Sequence, residues 1–344
     1  MKGRFIVTFI VVLCVAAVIA SAGGGRQRDA VPVLSAYVSM DERVANDLLE
    51  AFTRETGIQV NWVRLSGGAA LARMEAESAN PQASIWLGGV GLDHITGRER
   101  GITTPYRSRF AYQIPAQFRC PNDYWIGLYL GPLTFVTNLD RAAALGISPP
   151  TSWNDLLHPQ LRGHIRMPNP TTSGTAYKVI TTLRTLKGGD EDAAFAFLRQ
   201  LDYNIDQYTS SGAAPGVSVA IGEIPIAIGF AHDQIRLRQQ GANTVITAPS
   251  EGTGFELASM SLIRGGREPI EARRLFDWML SSPAAEAILV ENYFVLIRDG
   301  SESHPMAFNL DELVTIEQDF EWDGDAVNRS RLLDRWLNEI GNRR

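Results

Sequence analysis

Apolar and polar positions along this chain switch repeatedly between the period of a strand and that of a helix. Residues 31–37 are an apolar run of strand length. Behind a start at Ser39-Met40-Asp41-Glu42, Val44, Leu48, Leu49 and Phe52 recur at helical spacing until Gly57 closes the helix. Residues 58–63 alternate as a strand and run into Ser66-Gly67-Gly68 at the head of a second helix. Residues 83–89 form a third strand that ends in Gly88-Gly89. A β-α-β-α-β order implies parallel strands with helical crossovers. In such sheets ligands sit beyond the carboxyl ends of the strands, so the loops at Ser39, Ser66-Gly67-Gly68 and Gly88-Gly89 should face one crevice.

Residues 124–138 are too long for one average strand and are interrupted by Gly131-Pro132, which suits a strand that crosses from one lobe to another. Beyond it the pattern predicts a short capped helix at 153–157 and a strand at 163–167. The turn Pro168-Asn169-Pro170-Thr171-Thr172-Ser173-Gly174-Thr175 follows, and then helices at 177–186 and 190–201. Ser210-Ser211-Gly212 is a third loop of hydroxyls and glycine. Apolar runs at 217–223 and 224–230 bring the chain to Ala231-His232-Asp233, two polar residues expected to point to different sides of an extended segment. A return at 245–263 carries Ser250-Glu251-Gly252-Thr253-Gly254-Phe255-Glu256. Helices at 269–280, 282–290 and 325–340 and a strand at 294–297 complete an α/β chain. We expect a two-lobed fold with the ligand cleft between lobes joined by hinge strands. The first lobe would comprise 31–131 plus roughly 255–344, with some C-terminal helices free to pack on the second, 132–254.

Composition narrows the setting. The chain has 344 residues, enough for two domains, and its 45% hydrophobic and 20% charged residues are ordinary for a globular protein. Lys2 and Arg4 precede an apolar stretch at 5–20 that ends in small residues, Ala20-Ser21-Ala22. This reads as a signal peptide spanning 1–22, cleaved on secretion, more than as a lipid-anchored or membrane-anchored start. Loss of Lys2 and Arg4 takes the formal charge from −6 to −8, which argues against nucleic acid as a partner. If Cys14 leaves with the leader, Cys120 has no intramolecular partner.

Two stretches carry chemistry of the same kind. Ser66-Gly67-Gly68 and Thr172-Ser173-Gly174-Thr175 each place hydroxyls and glycines at a helix start, where free N–H groups and the helix dipole favour an anion. Catalysis lacks its parts: the five histidines show no metal-ligand spacing, Cys120 has no partner motif, and a Gly-x-Ser-x-Gly elbow is absent. Neither a catalytic residue, a metal nor a cofactor is expected.

The whole layout resembles the periplasmic solute-binding proteins of ABC importers, in the cluster related to ferric-ion-binding proteins. The likeness runs from Val33-Leu34-Ser35-Ala36-Tyr37 through Ala83-Ser84-Ile85-Trp86-Leu87-Gly88 and Pro149-Pro150-Thr151-Ser152-Trp153-Asn154-Asp155-Leu156 to Ser281-Ser282-Pro283-Ala284-Ala285-Glu286. Ferric-binding members use two adjacent tyrosines where this chain has Phe230-Ala231-His232-Asp233. The sugar-phosphate-binding members are more similar: they carry a Ser-Gly-Gly loop, an Asn-Pro-x-x-Ser-Gly-Thr turn, a His-Asp pair and a Ser-Glu-Gly-Thr-Gly-aromatic-Glu segment. The resemblance therefore implies a monomeric periplasmic protein that closes over a phosphorylated sugar, a hexose phosphate such as glucose 6-phosphate, and delivers it to an inner-membrane ABC permease. Phosphate would be held by Ser39, Ser66, Gly67, Gly68, Thr172, Ser173, Gly174 and Thr175. The sugar would be held by His232, Asp233 and Glu256, because carboxylates suit hydroxyls and repel phosphate. Phosphonate, phosphoglycerate or ferric ion are the rival ligands, and a ligand-presenting sensor subunit or an extracellular enzyme the rival classes.

Overall fold

A computed structural model describes residues 31–308 and 310–343; the signal peptide expected at 1–22 lies outside the described residues. The first half runs β1 (Val33–Val38), α1 (Glu42–Thr56), β2 (Gln59–Arg64), α2 (Gly67–Ala76), β3 (Ile85–Val90), α3 (Gly91–Glu99), β4 (Thr103–Thr104), β5 (Ile126–Asn138) and α4 (Leu139–Leu145). There follow β6 (Ile165–Pro168), α5 (Gly174–Leu186), α6 (Glu191–Asp202), β7 (Ile205–Thr209), α7 (Ala214–Ala220), β8 (Ile226–Phe230), α8 (Ala231–Gln239) and β9 (Thr244–Thr247). The chain ends with β10 (Phe255–Ile263), α9 (Pro269–Ser281), α10 (Pro283–Glu291), β11 (Val295–Leu296), α11 (Phe320–Gly324) and α12 (Ala326–Glu339).

The strands lie in the order β2-β1-β3-β10-β5-β8-β6-β7. β1 is parallel to both β2 and β3, as the crossovers require, and β6 is parallel to β7 and β8. β5 joins the two sets. Its residues up to Pro132 pair with β10, and from Leu133 onward with β8 and β9. Pro132, which has no N–H to give a ladder, stands where the partner changes. All thirteen residues of β5 are buried.

Two cores flank this strand. One gathers Leu34, Phe52, Ile85, Leu128, Met260 and Phe276; the other gathers Phe135, Trp153, Met167, Tyr177, Phe195 and Ile226. The fold is therefore two-lobed. Leu332, Trp336 and Ile340 from the C-terminal segment join the second core, as do Val90 and Leu92. Among the described residues no helix is long and apolar enough to cross a membrane.

Two local expectations are corrected. The apolar run at 217–223 is not a sister strand to β8 but the end of α7, with Pro215 in its first turn and Gly222, at φ 78°, after its last. His232 and Asp233 are not on extended backbone either: the chain turns directly from Phe230 into α8, and both lie in that helix's first turn. Consecutive residues there still diverge, by helical rotation and not by strand alternation.

Candidate functional site

Strand β2 ends at Arg64 and the chain enters α2 through Ser66; β6 ends at Pro168 and the chain enters α5 through Ser173. Both serines are N-caps in extended backbone, yet neither side chain bonds its own helix, and neither helix has an acidic residue in its first turn. α1 shows the ordinary solution by contrast, with Asp41 Oδ1 accepting from the N–H groups of Arg43 (3.0 Å) and Val44 (3.3 Å). The heads of α2 and α5 thus keep donors in hand.

These two heads open on one cavity. Ser39, Ser66, Gly67, Ser173, Gly174, Thr175, His232, Asp233 and Glu256 all line it. Ser39 Oγ accepts a 2.9 Å bond from Trp86 Nε1, which orients its hydroxyl. Gly68 and Thr172 are not brought to the cavity. They meet each other behind it, where a Cβ on Gly68 would sit 2.7 Å from the Thr171 carbonyl oxygen and 3.1 Å from Thr172 C.

His232 Nε2 stands 3.6 Å from Glu256 Oε1 and 3.8 Å from Asp233 Oδ2, and its Nδ1 has no partner. Burial lowers the imidazole to about 4, so it is neutral. Burial first, and then the nearby Asp233 and Asp93 charges, pushes the Glu256 carboxyl well above the ordinary carboxylate range. With its imidazole neutral, His232 makes no ion pair with Glu256. Phe294 packs on the imidazole with ring centroids 4.4 Å apart. Gly131 of β5 has no side chain because a Cβ there would lie 2.7 Å from His232 Nδ1 and 3.0 Å from Glu256 Oε1.

Four groups that sequence reasoning did not assign to the site complete it. Arg236 Nη2 donates to Asp233 Oδ1 (3.0 Å) and to Asp41 Oδ2 (2.8 Å), joining α8 to the head of α1. Arg64 donates from Nε to the Met40 carbonyl (3.0 Å) and from Nη2 to Ser211 Oγ (3.0 Å), and it is the single Lys or Arg among the described lining residues. Arg64 had a visible signal, since it stands two residues before Ser66. Asp93, on α3, is the fourth: fully buried, it lies between the heads of α2 and α5. The expectation that carboxylates mark the far end alone is thus corrected. Arg73, by contrast, pairs with Glu77 at 2.9 Å, outside the cavity lining. Among the described residues no cluster of His, Cys, Asp and Glu could hold a metal ion.

A two-lobed α/β fold with one polar cavity bordered by helix heads defines a ligand-binding protein, and residues 97–322 match the family of bacterial extracellular solute-binding proteins. The chain belongs to that family. Among solved structures it is similar to the periplasmic binding protein AfuA from Actinobacillus pleuropneumoniae, with exogenous fructose-6-phosphate bound, at 34% identity and TM-score 0.87 over 91% of this chain and 99% of that one. It is also 25% identical over 297 residues to a putative 2-aminoethylphosphonate-binding periplasmic protein of Salmonella typhimurium, covering 83% of this chain and 85% of that one. Iron-bound HitA from Pseudomonas aeruginosa shares the fold at 19% identity and TM-score 0.76 over 90% and 99% of the two chains. These relatives are binding proteins, and those named here as periplasmic set the expectation for this chain's compartment.

Proposed function

We propose that this protein is the periplasmic substrate-binding component of an ABC uptake system and that it captures a phosphorylated sugar, a hexose phosphate such as glucose 6-phosphate, by closure of its two lobes. Support comes first from the uncommitted helix heads: Ser66, Ser173 and the N–H groups behind them have no internal acceptor on their own helices. A phosphoryl group supplies that acceptor. His232, Asp233 and Glu256, which line the same cavity, offer donors and acceptors of the kind that sugar hydroxyls exchange. The reading involves no catalysis, only hinge closure and release to an inner-membrane permease. It draws further on the similarity to a protein with fructose-6-phosphate bound.

A ligand bearing an ammonium group and a phosphonate is the second reading, favoured by Asp41, Asp93, Asp233 and Glu256 lining the cavity against Arg64 alone. Thermal shift separates the two. Glucose 6-phosphate at about a hundred times its Kd should stabilise the protein by about 2.7 kcal/mol, with glucose, inorganic phosphate and ferric citrate well below it. A larger shift from 2-aminoethylphosphonate or from ferric citrate would overturn the sugar-phosphate reading.

A further inference from the structure

Asp93 is a carboxylate where the phosphate reading wants only donors. Its side chain is fully buried on α3, and its Oδ2 packs on the first residues of both anion-facing helices, α2 and α5. A Cβ on Gly174 would come within 2.6 Å of this oxygen, and one on Gly67 would overlap it. Oδ1 is paired with Arg329 Nη2 of α12 at 2.5 Å, whereas Oδ2 receives no hydrogen bond. An acceptor buried without a donor is unfavourable unless a ligand brings one. A phosphoryl oxygen at the helix heads would meet this oxygen, and two adjacent anionic oxygens are not both ionised when they can hold a proton between them.

We propose that Asp93 Oδ2 and the bound phosphoryl group share one proton, which makes Asp93 a specificity residue that favours phosphate and its monoesters over sulfate and its esters. The assignment rests on the phosphate reading above. For a monoester the step balances as an ionised Asp93, an ester dianion and one proton from solvent going to a single O–H···O pair, whereas hydrogenphosphate brings that proton on its own P–OH; no bond to phosphorus is made or broken. Sulfate brings no such proton near neutral pH, so only Asp93 itself could supply it. The charged and titratable neighbours are Arg329 on α12, Tyr177 on α5 with the Arg329 guanidinium 4.3 Å from its ring centre, Asp323 on α11, Glu256 on β10 and Arg64 on the cavity wall. His94, next in sequence, is turned away and bonds Ser261 Oγ and the Gly88 carbonyl. Burial raises the Asp93 carboxyl, opposed by Arg329.

The test uses the whole secreted chain with four probes: inorganic phosphate, sulfate, glucose 6-phosphate and glucose 6-sulfate. Between pH 6 and 9.5 the affinity for glucose 6-phosphate should come to fall about tenfold per pH unit, while that for inorganic phosphate, which brings its own proton, stays much flatter above pH 7.5. Calorimetry at pH 8.5 in two buffers of different ionisation enthalpy should count one proton taken up per glucose 6-phosphate and none per inorganic phosphate. At pH 7 sulfate should bind at least ~10-fold more weakly than phosphate. D93N, whose amide donates without a proton, should flatten the pH profile and narrow the gap between sulfate and phosphate. If D93N does not fold, the proton count and the sulfate comparison on the wild-type chain still decide. A flat wild-type profile for glucose 6-phosphate with no proton uptake, equal binding of sulfate and phosphate, or a pH slope that survives in D93N would overturn the proposal. Proton-linked binding of glucose 6-phosphate that is no tighter than that of inorganic phosphate would sink the sugar reading and leave this one standing; tight, pH-independent glucose 6-phosphate binding would do the reverse; failure of phosphate and glucose 6-phosphate alike would sink both.

Discussion

Asp41 uses its two carboxylate oxygens for different purposes, and one substitution separates them. Oδ1 caps α1, while Oδ2 accepts from Arg236 on α8, on the other side of the cavity. In D41N the remaining carbonyl oxygen keeps the cap, since Asn is as good an N-cap as Asp. The new amide faces Arg236 with a donor against a donor, so the bridge between the heads of α1 and α8 is lost. Arg236 is nearly buried, but the Asp41 side chain is 24% exposed, so its hydrogen bond belongs at the low end of charged bonds, about 1–2 kcal/mol. If that bond exists only when the lobes are closed, its loss shifts the closing equilibrium by the same amount and weakens every ligand about 5- to 30-fold. Titration calorimetry with glucose 6-phosphate and with inorganic phosphate should show the same factor for both. Loss confined to one ligand would mean that Asp41 touches that ligand, and unchanged affinities would remove the bridge from the closing equilibrium altogether.

Two further outcomes are expected. Asp233→Ala should weaken glucose 6-phosphate more than inorganic phosphate in direct titration if Asp233 holds the sugar, as proposed above; the opposite selectivity would remove the assigned division between sugar and phosphate residues. His94 is fully buried, and burial lowers it from 6.5 to about 4, so between those values the unfolded chain binds a proton that the folded chain does not. Stability from this group is complete above pH 6.5 and falls on acidification by on the order of 3 kcal/mol by pH 4. His94→Gln, followed by chemical denaturation from pH 7 to 4, should lose less stability over that window than the wild type, with the remaining acid sensitivity carried in part by His232, also lowered to about 4; an unchanged slope would refute the account.

The helix heads were legible because each is written in a few adjacent residues: a strand, a serine, glycine, and then a helix. Asp93 was not legible, for a physical reason. Every residue of α3 from Gly91 to Gly97 is buried, so the helix shows no amphipathic stripe, and its cap, Val90, makes no side-chain bond. Periodicity carries no signal in a helix that is covered all round. The start of α8 was hidden in the same way, since its cap is Phe230 and no side chain bonds the first turn. That single misreading cost more than the conformation of two residues. Read as extended chain, His232 and Asp233 are an isolated pair. Read as a helix, Asp233 and Arg236 fall at i and i+3 on one face, and the bond from Arg236 to Asp233, with its continuation to Asp41, becomes an expectation instead of a surprise. The least legible parts of the site are those whose helices begin without a polar cap. At the heads of α2 and α5 the polar caps that made the helices readable, Ser66 and Ser173, are the hydroxyls left free for a ligand. Asp93, inserted between these two heads from a helix with no sequence signature, had to be found in the fold.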